Sequence, residues 1–119
     1  MTTIRLGEIA YARSGDKGSS ANIGVIAYTY AGYGFIYEEL TEELVYSFFV
    51  RMGLSGVVRY ELPNLWALNF ILENVLSGGG SRSIRIDAQG KVLGQALLQL
   101  PLEISPQRLL EIRPNQENS

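Results

Sequence analysis

Residues 12–24 read Ala-Arg-Ser-Gly-Asp-Lys-Gly-Ser-Ser-Ala-Asn-Ile-Gly, and the chemistry of the chain is concentrated there. A segment that only had to turn would need Gly or Asn. This one holds Arg13, Ser14, Asp16, Lys17 and Asn22, interleaved with Gly15 and Gly18. Arg13 and Lys17, with successive backbone N–H groups, are the donor set of a pocket for a carboxylate or phosphate. Asp16 would then orient Lys17 or act as a base. The same residues also fit an Asp-capped turn with solvated charges, in which Asn22 ties loop to sheet. The segment is not a P-loop: Gly-Asp-Lys-Gly-Ser lacks the four-residue spacer and leads into a strand, whereas phosphate cradles open a helix.

A second candidate for anion binding is Gly78-Gly79-Gly80 followed by Ser81, Arg82 and Ser83. On an extended chain Arg82 shares parity with Ile84 and Ile86, so its side chain starts toward the core and needs a partner. Glu61, Asp16 or a helix C-terminus would serve structurally, and a ligand carboxylate would serve functionally. Asn64 reads as a helix N-cap. Asn69 falls inside the same apolar segment, where Asn is a poor helix former; it faces a cleft or interface, or bonds to backbone. Glu73 would join it on one helical face. Glu61 is either a base or a surface charge at a strand end. Of seven tyrosines, five lie between residues 28 and 46. They line a cavity for an apolar acyl chain, or else are half-buried packing and interface.

The chain contains neither Cys nor His. That removes disulfides, thiolate nucleophiles, Ser-His-Asp triads and Cys/His metal sites. Catalysis would have to run on carboxylates, Lys, Tyr, hydroxyls or backbone N–H groups, and neither metal nor cofactor is expected. A net charge of −2 and a pI near 5.1 offer no basic face for nucleic acid. No apolar run reaches the ~18 residues of a bilayer span, and the N-terminus lacks a basic-then-apolar signal. The expected location is cytoplasmic.

The elements that position these residues follow from periodicity. Ile4–Arg13 predicts a first strand with a bulge near Gly7. Residues 13–21 form a loop, and Asn22–Tyr28 a second, central strand, apolar on both parities. Tyr30–Gly34 reads as a loop and Phe35–Leu40 as a short helical turn. Thr41, then Glu42 and Glu43, opens a helix that buries Leu44, Val45, Phe48, Phe49 and Met52 and stops at Gly53. Val57–Leu62 predicts a third strand ended by Pro63. Residues 64–76 predict a second helix, apolar over most of its circumference, which implies a second covering surface such as another subunit. Ser81–Asp87 predicts a fourth strand, 87–91 a turn, and Leu98–Ile104 a fifth strand at an edge because of Pro101. Ser105–Ile112 is a last turn or short strand. The expectation is one domain over residues 1–112, with a disordered tail at 113–119. The order ββαβαββ, with two main helices on a four- to five-stranded sheet, is an α+β two-layer sandwich of ferredoxin-like, split-βαβ type.

Three segments resemble a known family. Tyr-Ala-Arg-Ser-Gly-Asp-Lys-Gly-Ser-Ser-Ala-Asn-Ile-Gly-Val at 11–25 looks like the opening signature of the C-terminal domain of AtuA-like (acyclic terpene utilisation) proteins. Tyr-Glu-Leu-Pro-Asn-Leu-Trp-Ala-Leu-Asn-Phe at 60–70 resembles its middle signature, and Gly78–Gly80 through Arg82-Ser83 to Asp87–Lys91 the third. Position 66, where the resemblance leads to an expectation of His, is Trp66. The resemblance implies a ferredoxin-like fold, here as a stand-alone small protein with a larger AtuA-like partner. It also implies a loose link to catabolism of branched acyl-CoA compounds.

Two functional classes follow. One is an accessory or interaction subunit of an AtuA-like acyl system that oligomerises or docks through the 64–76 surface. It would contribute an anion pocket from Arg13, Ser14, Asp16, Lys17, Asn22, Asn64, Asn69, Arg82 and Ser83. The other is a stand-alone lyase, hydratase or hydrolase on a CoA-linked acid, with Asp16 or Glu61 as base and Lys17 and Arg82 stabilising an oxyanion. Beside these two stands a small-anion-binding module with no chemistry. A lone domain of this size has little depth for a closed site, and the lack of His and Cys likewise favours the accessory subunit and the binding module over the enzyme.

Overall fold

In the computed structural model the backbone is described for residues 1–76 and 86–113, and side chains for these except 86–91. The elements are β1 (Thr2–Arg5), β2 (Ala10–Lys17), β3 (Ser20–Ala27), α1 (Tyr30–Glu39), α2 (Glu42–Phe48), β4 (Gly56–Leu62), β5 (Ala67–Glu73), α3 (Ile86–Leu97), β6 (Pro101–Ile104) and α4 (Pro106–Ile112). Strands β2, β3, β5 and β4 form a four-stranded antiparallel sheet in that order, and β1 pairs with β6 in a separate two-stranded ladder.

β3 and β4 are both antiparallel to β5, so they run parallel to each other with β5 between them. Joined through α1 and α2, they make a split βαβ unit. The sheet order is that of a ferredoxin-like fold. The strand that would follow α3 is supplied instead by β2, from earlier in the chain, hairpinned to β3. The protein is therefore α+β and ferredoxin-like, as its sequence predicts, with a different order of elements.

Several local readings hold. Thr41 caps α2 by accepting the Leu44 N–H at 3.1 Å, and Gly53 takes the left-handed conformation (φ 76°) that ends the following turn. Pro101 begins a strand paired on one side only. Other readings are corrected. The first predicted strand is two, separated by a 3₁₀ turn at Leu6–Glu8. The loop predicted between the first two sheet strands is mostly strand. β2 runs to Lys17 and β3 starts at Ser20, leaving only Gly18 (φ 63°) and Ser19 to turn. Tyr30–Glu39 is one helix, because Thr29 accepts the Gly32 N–H at 3.0 Å and caps it. Residues 105–112 form a capped helix rather than a strand.

The largest correction concerns residues 64–76. The segment is a 3₁₀ turn (Pro63–Leu65) followed by strand β5, not a helix. Its grease has a simple origin: β5 is central, with Leu68, Phe70 and Leu72 fully buried under the helices and Ala67, Asn69 and Ile71 on the other face. No covering subunit is needed to explain it, and the docking helix predicted there does not exist. Asp87–Lys91 lies in α3 instead of a turn. The strand predicted at 81–87 is contradicted at Ile86 and Asp87, which lie in α3; its residues 81–85, and 114–119 of the tail predicted at 113–119, lie outside the described residues.

All the sheet-covering helices lie on one face. α3 crosses β2, α1 packs on β3 and α2 on β4. The buried residues Ile23, Val25, Leu68, Phe70 and Leu72 with Ile36, Leu40, Leu93 and Leu97 form the core between the layers. Gly94 lets α3 come close: a Cβ there would lie 2.9 Å from the Ser14 hydroxyl, and its N–H donates to that same Oγ at 2.8 Å. Among the described residues the opposite face of the sheet carries no helix. Among the described residues no helix is long and apolar enough to cross a membrane.

Candidate functional site

Strand alternation sorts the singled-out residues onto two faces. Arg13, Gly15 and Lys17 of β2 share the open face with Asn22 and Gly24 of β3, Asn69 and Ile71 of β5, and Val58 and Tyr60 of β4. The register sets Arg13, Gly24, Asn69 and Tyr60 in one row across the sheet. Gly15, Asn22, Ile71 and Val58 fill the next. Each carboxamide thus has a glycine beside it, and the two carboxamides meet on the diagonal, where Asn22 Nδ2 donates to Asn69 Oδ1 at 3.2 Å.

The glycines keep the floor open. A Cβ at Gly15 would stand 3.9 Å from Asn22 Oδ1, and one at Gly24 3.8 Å from Asn69 Oδ1. The result is a hollow of about 680 Å³ lined by Asp16, Lys17, Ser20, Asn22, Tyr60, Asn69 and Ile71. After their mutual bond, Asn22 keeps an acceptor and one N–H, and Asn69 keeps its NH2. Neither Lys17 nor Arg13 forms an ion pair with a described residue. The arrangement presents cationic and amide donors over a half-apolar floor, which suits a carboxylate or phosphate better than a cation.

The structure therefore gathers Lys17, Asn22 and Asn69 into one hollow and leaves Arg13 exposed in the adjoining row; Asp16 borders the hollow but, opposite Ala21, belongs to the helix-covered side of β2. It separates the rest. Ser14 faces α3 and accepts the Gly94 N–H. Asn64 is exposed in the 3₁₀ turn and caps no helix. Glu61 sits on the helix-covered side of β4, opposite Leu68, ion-paired to Arg59 at 2.8 Å. Arg82 and Ser83 lie outside the described residues. Tyr60, Ser20 and Ile71 were not singled out for the hollow. Tyr60 reaches it only by pairing with Asn69, so it is invisible while 64–76 is read as a helix.

Trp66 holds the left-handed conformation (φ 54°), rare for a bulky residue, at the entry to β5. Its carbonyl accepts the Ala27 N–H at 2.9 Å, and its ring meets Tyr30 edge-on with centroids 6.3 Å apart. The backbone bond sets the register of β5 on β3, so Trp66 is a strand-entry residue outside the hollow.

A second hollow, of about 560 Å³, lies between α1, α4 and the end of β4. Tyr30, Tyr33 and Tyr37 line it; Tyr28 and Tyr46 do not. Burial, and then the nearby Glu61 carboxylate, push the Tyr33 phenol pKa above its usual value. Among the described residues no three His, Cys, Asp or Glu side chains come together as metal ligands would.

No curated protein and no solved structure matches the chain. The model of the AtuA ferredoxin-like domain matches residues 4–103, which hold the whole four-stranded sheet, α1–α3 and parts of β1 and β6, and the chain belongs to that family.

Proposed function

We propose that this domain is an accessory subunit of an AtuA-like system acting on branched or terpenoid acyl compounds, and that its open sheet face binds the anionic group of the acyl ligand. The observation that carries this reading is the Asn22–Asn69 pair in a hollow that Lys17 also lines, with Gly15 and Gly24 beside the two carboxamides. Amide donors with a cation on a rigid sheet suit an anion, and Ile71 with the Tyr60 ring provides apolar surface beside it. Family membership supplies the acyl context, and a larger AtuA-like protein is the natural partner. A bare, half-apolar sheet face is also where such a partner, or a second copy of the chain, would close the hollow.

Calorimetric titration with a branched acyl-CoA tests the proposal, alone and with the larger AtuA-like protein present. Saturable binding that weakens about tenfold in Lys17→Ala, the loss of roughly one charge-assisted contact, is the expected result. Unchanged binding in Lys17→Ala removes the hollow from the ligand site. Turnover of the acyl-CoA by the isolated chain would replace the accessory reading with the enzymatic one.

A further inference from the structure

The second hollow does not fit the anion reading, and its own features point elsewhere. Tyr30, Tyr33 and Tyr37 recur at helical spacing on one face of α1, so their rings wall the space together. Tyr33 is 8% exposed, and its hydroxyl bonds to no described residue. Facing the hollow, that hydroxyl is open to water or to a ligand.

Gly34 supplies an independent sign. It sits inside α1, where glycine is less favourable than alanine because it gives up more backbone freedom. Its neighbour Gly32 is needed for packing, since a Cβ there would meet Ile112 at 3.3 Å. A Cβ at Gly34 would meet nothing within 4 Å beyond its own helix backbone. The residue lines the hollow and enlarges it, at the expense of the helix.

The charges decide what the hollow accepts. Arg59 is committed: its guanidinium bonds to the Tyr37 and Leu40 carbonyls and to Glu61, and stacks over the Tyr37 ring at 5.2 Å. Arg108 pairs with Glu38 at 2.9 Å and stacks over Phe35 at 5.1 Å. Glu111, which also lines the hollow, has no ion pair or hydrogen bond with a described residue. Of the charged residues that line the hollow, Glu61 is neutralised by Arg59 and Arg108 by Glu38, which leaves Glu111 and a negative balance between walls of tyrosine rings. An anionic ligand is disfavoured there, while an organic cation gains from both rings and carboxylate.

We propose that the hollow between α1 and α4 is a binding site for a small organic cation, an alkylammonium or comparable amine, held by Tyr30 and Tyr33 with Glu111 as counter-charge. The inference is separate from the acyl-binding reading and does not depend on it.

The test uses three probes of similar size on the full chain: benzyltrimethylammonium, its uncharged carbon isostere neopentylbenzene, and phenylacetate, with binding followed by NMR shifts of the tyrosine rings. Benzyltrimethylammonium is expected to saturate these shifts, and the uncharged isostere to bind at least fivefold more weakly. Glu111→Gln should weaken the cation about threefold to tenfold. Gly34→Leu, which fills the hollow from an already unobstructed position, should abolish binding with no loss of melting temperature. Lys17→Ala should leave it unchanged, which separates this site from the sheet-face hollow. The proposal is overturned if the cation fails to saturate, if neopentylbenzene or phenylacetate binds as well, or if a folded Gly34→Leu protein still binds.

Discussion

Asn22 donates its carboxamide N–H to Asn69 Oδ1 at 3.2 Å, joining the two central strands by side chains on the sheet face opposite α1, α2 and α3. Inside the core such a pair would be an expense needing full satisfaction. On a half-buried open face, water or a ligand takes up the remaining donors and acceptors, and the pair becomes a recognition element.

Asn69→Leu separates those two roles. Leu is close to Asn in size and suits a strand, and the Asn22 amide left behind can reach solvent. The expected stability change is within about 1 kcal/mol, while acyl-CoA affinity falls at least tenfold. Thermal melting and calorimetric titration on the same sample read both, and equal affinity in a folded variant would make the pair purely architectural.

Gly94→Ala should destabilise by about 1–3 kcal/mol through overpacking. The added methyl would sit 2.9 Å from Ser14 Oγ and 3.2 Å from its Cβ, on a short side chain with nowhere to go. Denaturant midpoints check this. Combining it with Ser14→Gly should recover part of the loss, because that change removes the obstructing atoms; a fully additive pair would show that the clash is not the cause.

Acid stability should depend on Glu8. Its carboxyl accepts the Arg5 backbone N–H at 2.9 Å and, at its other oxygen, the Arg113 guanidinium at 2.9 Å. The Arg5 backbone bond is the largest cause holding its pKa below the ordinary 4.5; burial opposes it, and the Arg113 hydrogen bond and charge add to the lowering. The unfolded chain therefore takes up its proton first as pH falls. The stabilisation is fully present above pH 4.5 and is lost as pH drops through the lowered folded value. Glu8→Gln should flatten the acid limb of the stability curve, and a curve parallel to the parent's would contradict this.

On the alkaline side Tyr33 acts in the opposite sense. Burial, then Glu61 and Tyr37, raise its phenol above the ordinary 10.0. The unfolded chain loses that proton first, so stability declines as pH rises past 10.0. Ultraviolet difference absorbance should show one phenol ionising after the others, and Tyr33→Phe should remove that step and lessen the alkaline decline.

Some local signals are legible: Thr41 with two acids after it starts α2, and Gly53 ends the 3₁₀ turn that follows it, the helix itself having ended at Phe48. The family signatures, too, are strings of adjacent residues. The failures share a cause. Leu68, Phe70 and Leu72 are apolar on one parity and Ala67 and Ile71 on the other, so the run has no alternation to mark it as extended. A two-sided strand and a buried helix look alike in periodicity. The length of the run, inflated by Leu65 and Trp66 before it and Val75 and Leu76 after it, favoured the wrong choice.

The sequence by itself determined which residue types were available for chemistry and which reactions lacked their groups: with no His and no Cys, only carboxylates, amines, phenols and amides remain. It also marked Lys17, Asn22 and Asn69 as worth placing. Only the tertiary structure decided that Asn22 and Asn69 meet, that Ser14 and Glu61 turn away, and that Tyr60 joins the hollow. The physical reason is strand pairing, which is non-local: the register between β3 and β5 is set across 47 residues of chain by the burial of one face and by the Trp66–Ala27 bond. A shift of one residue would have put every one of these side chains on the other side of the sheet.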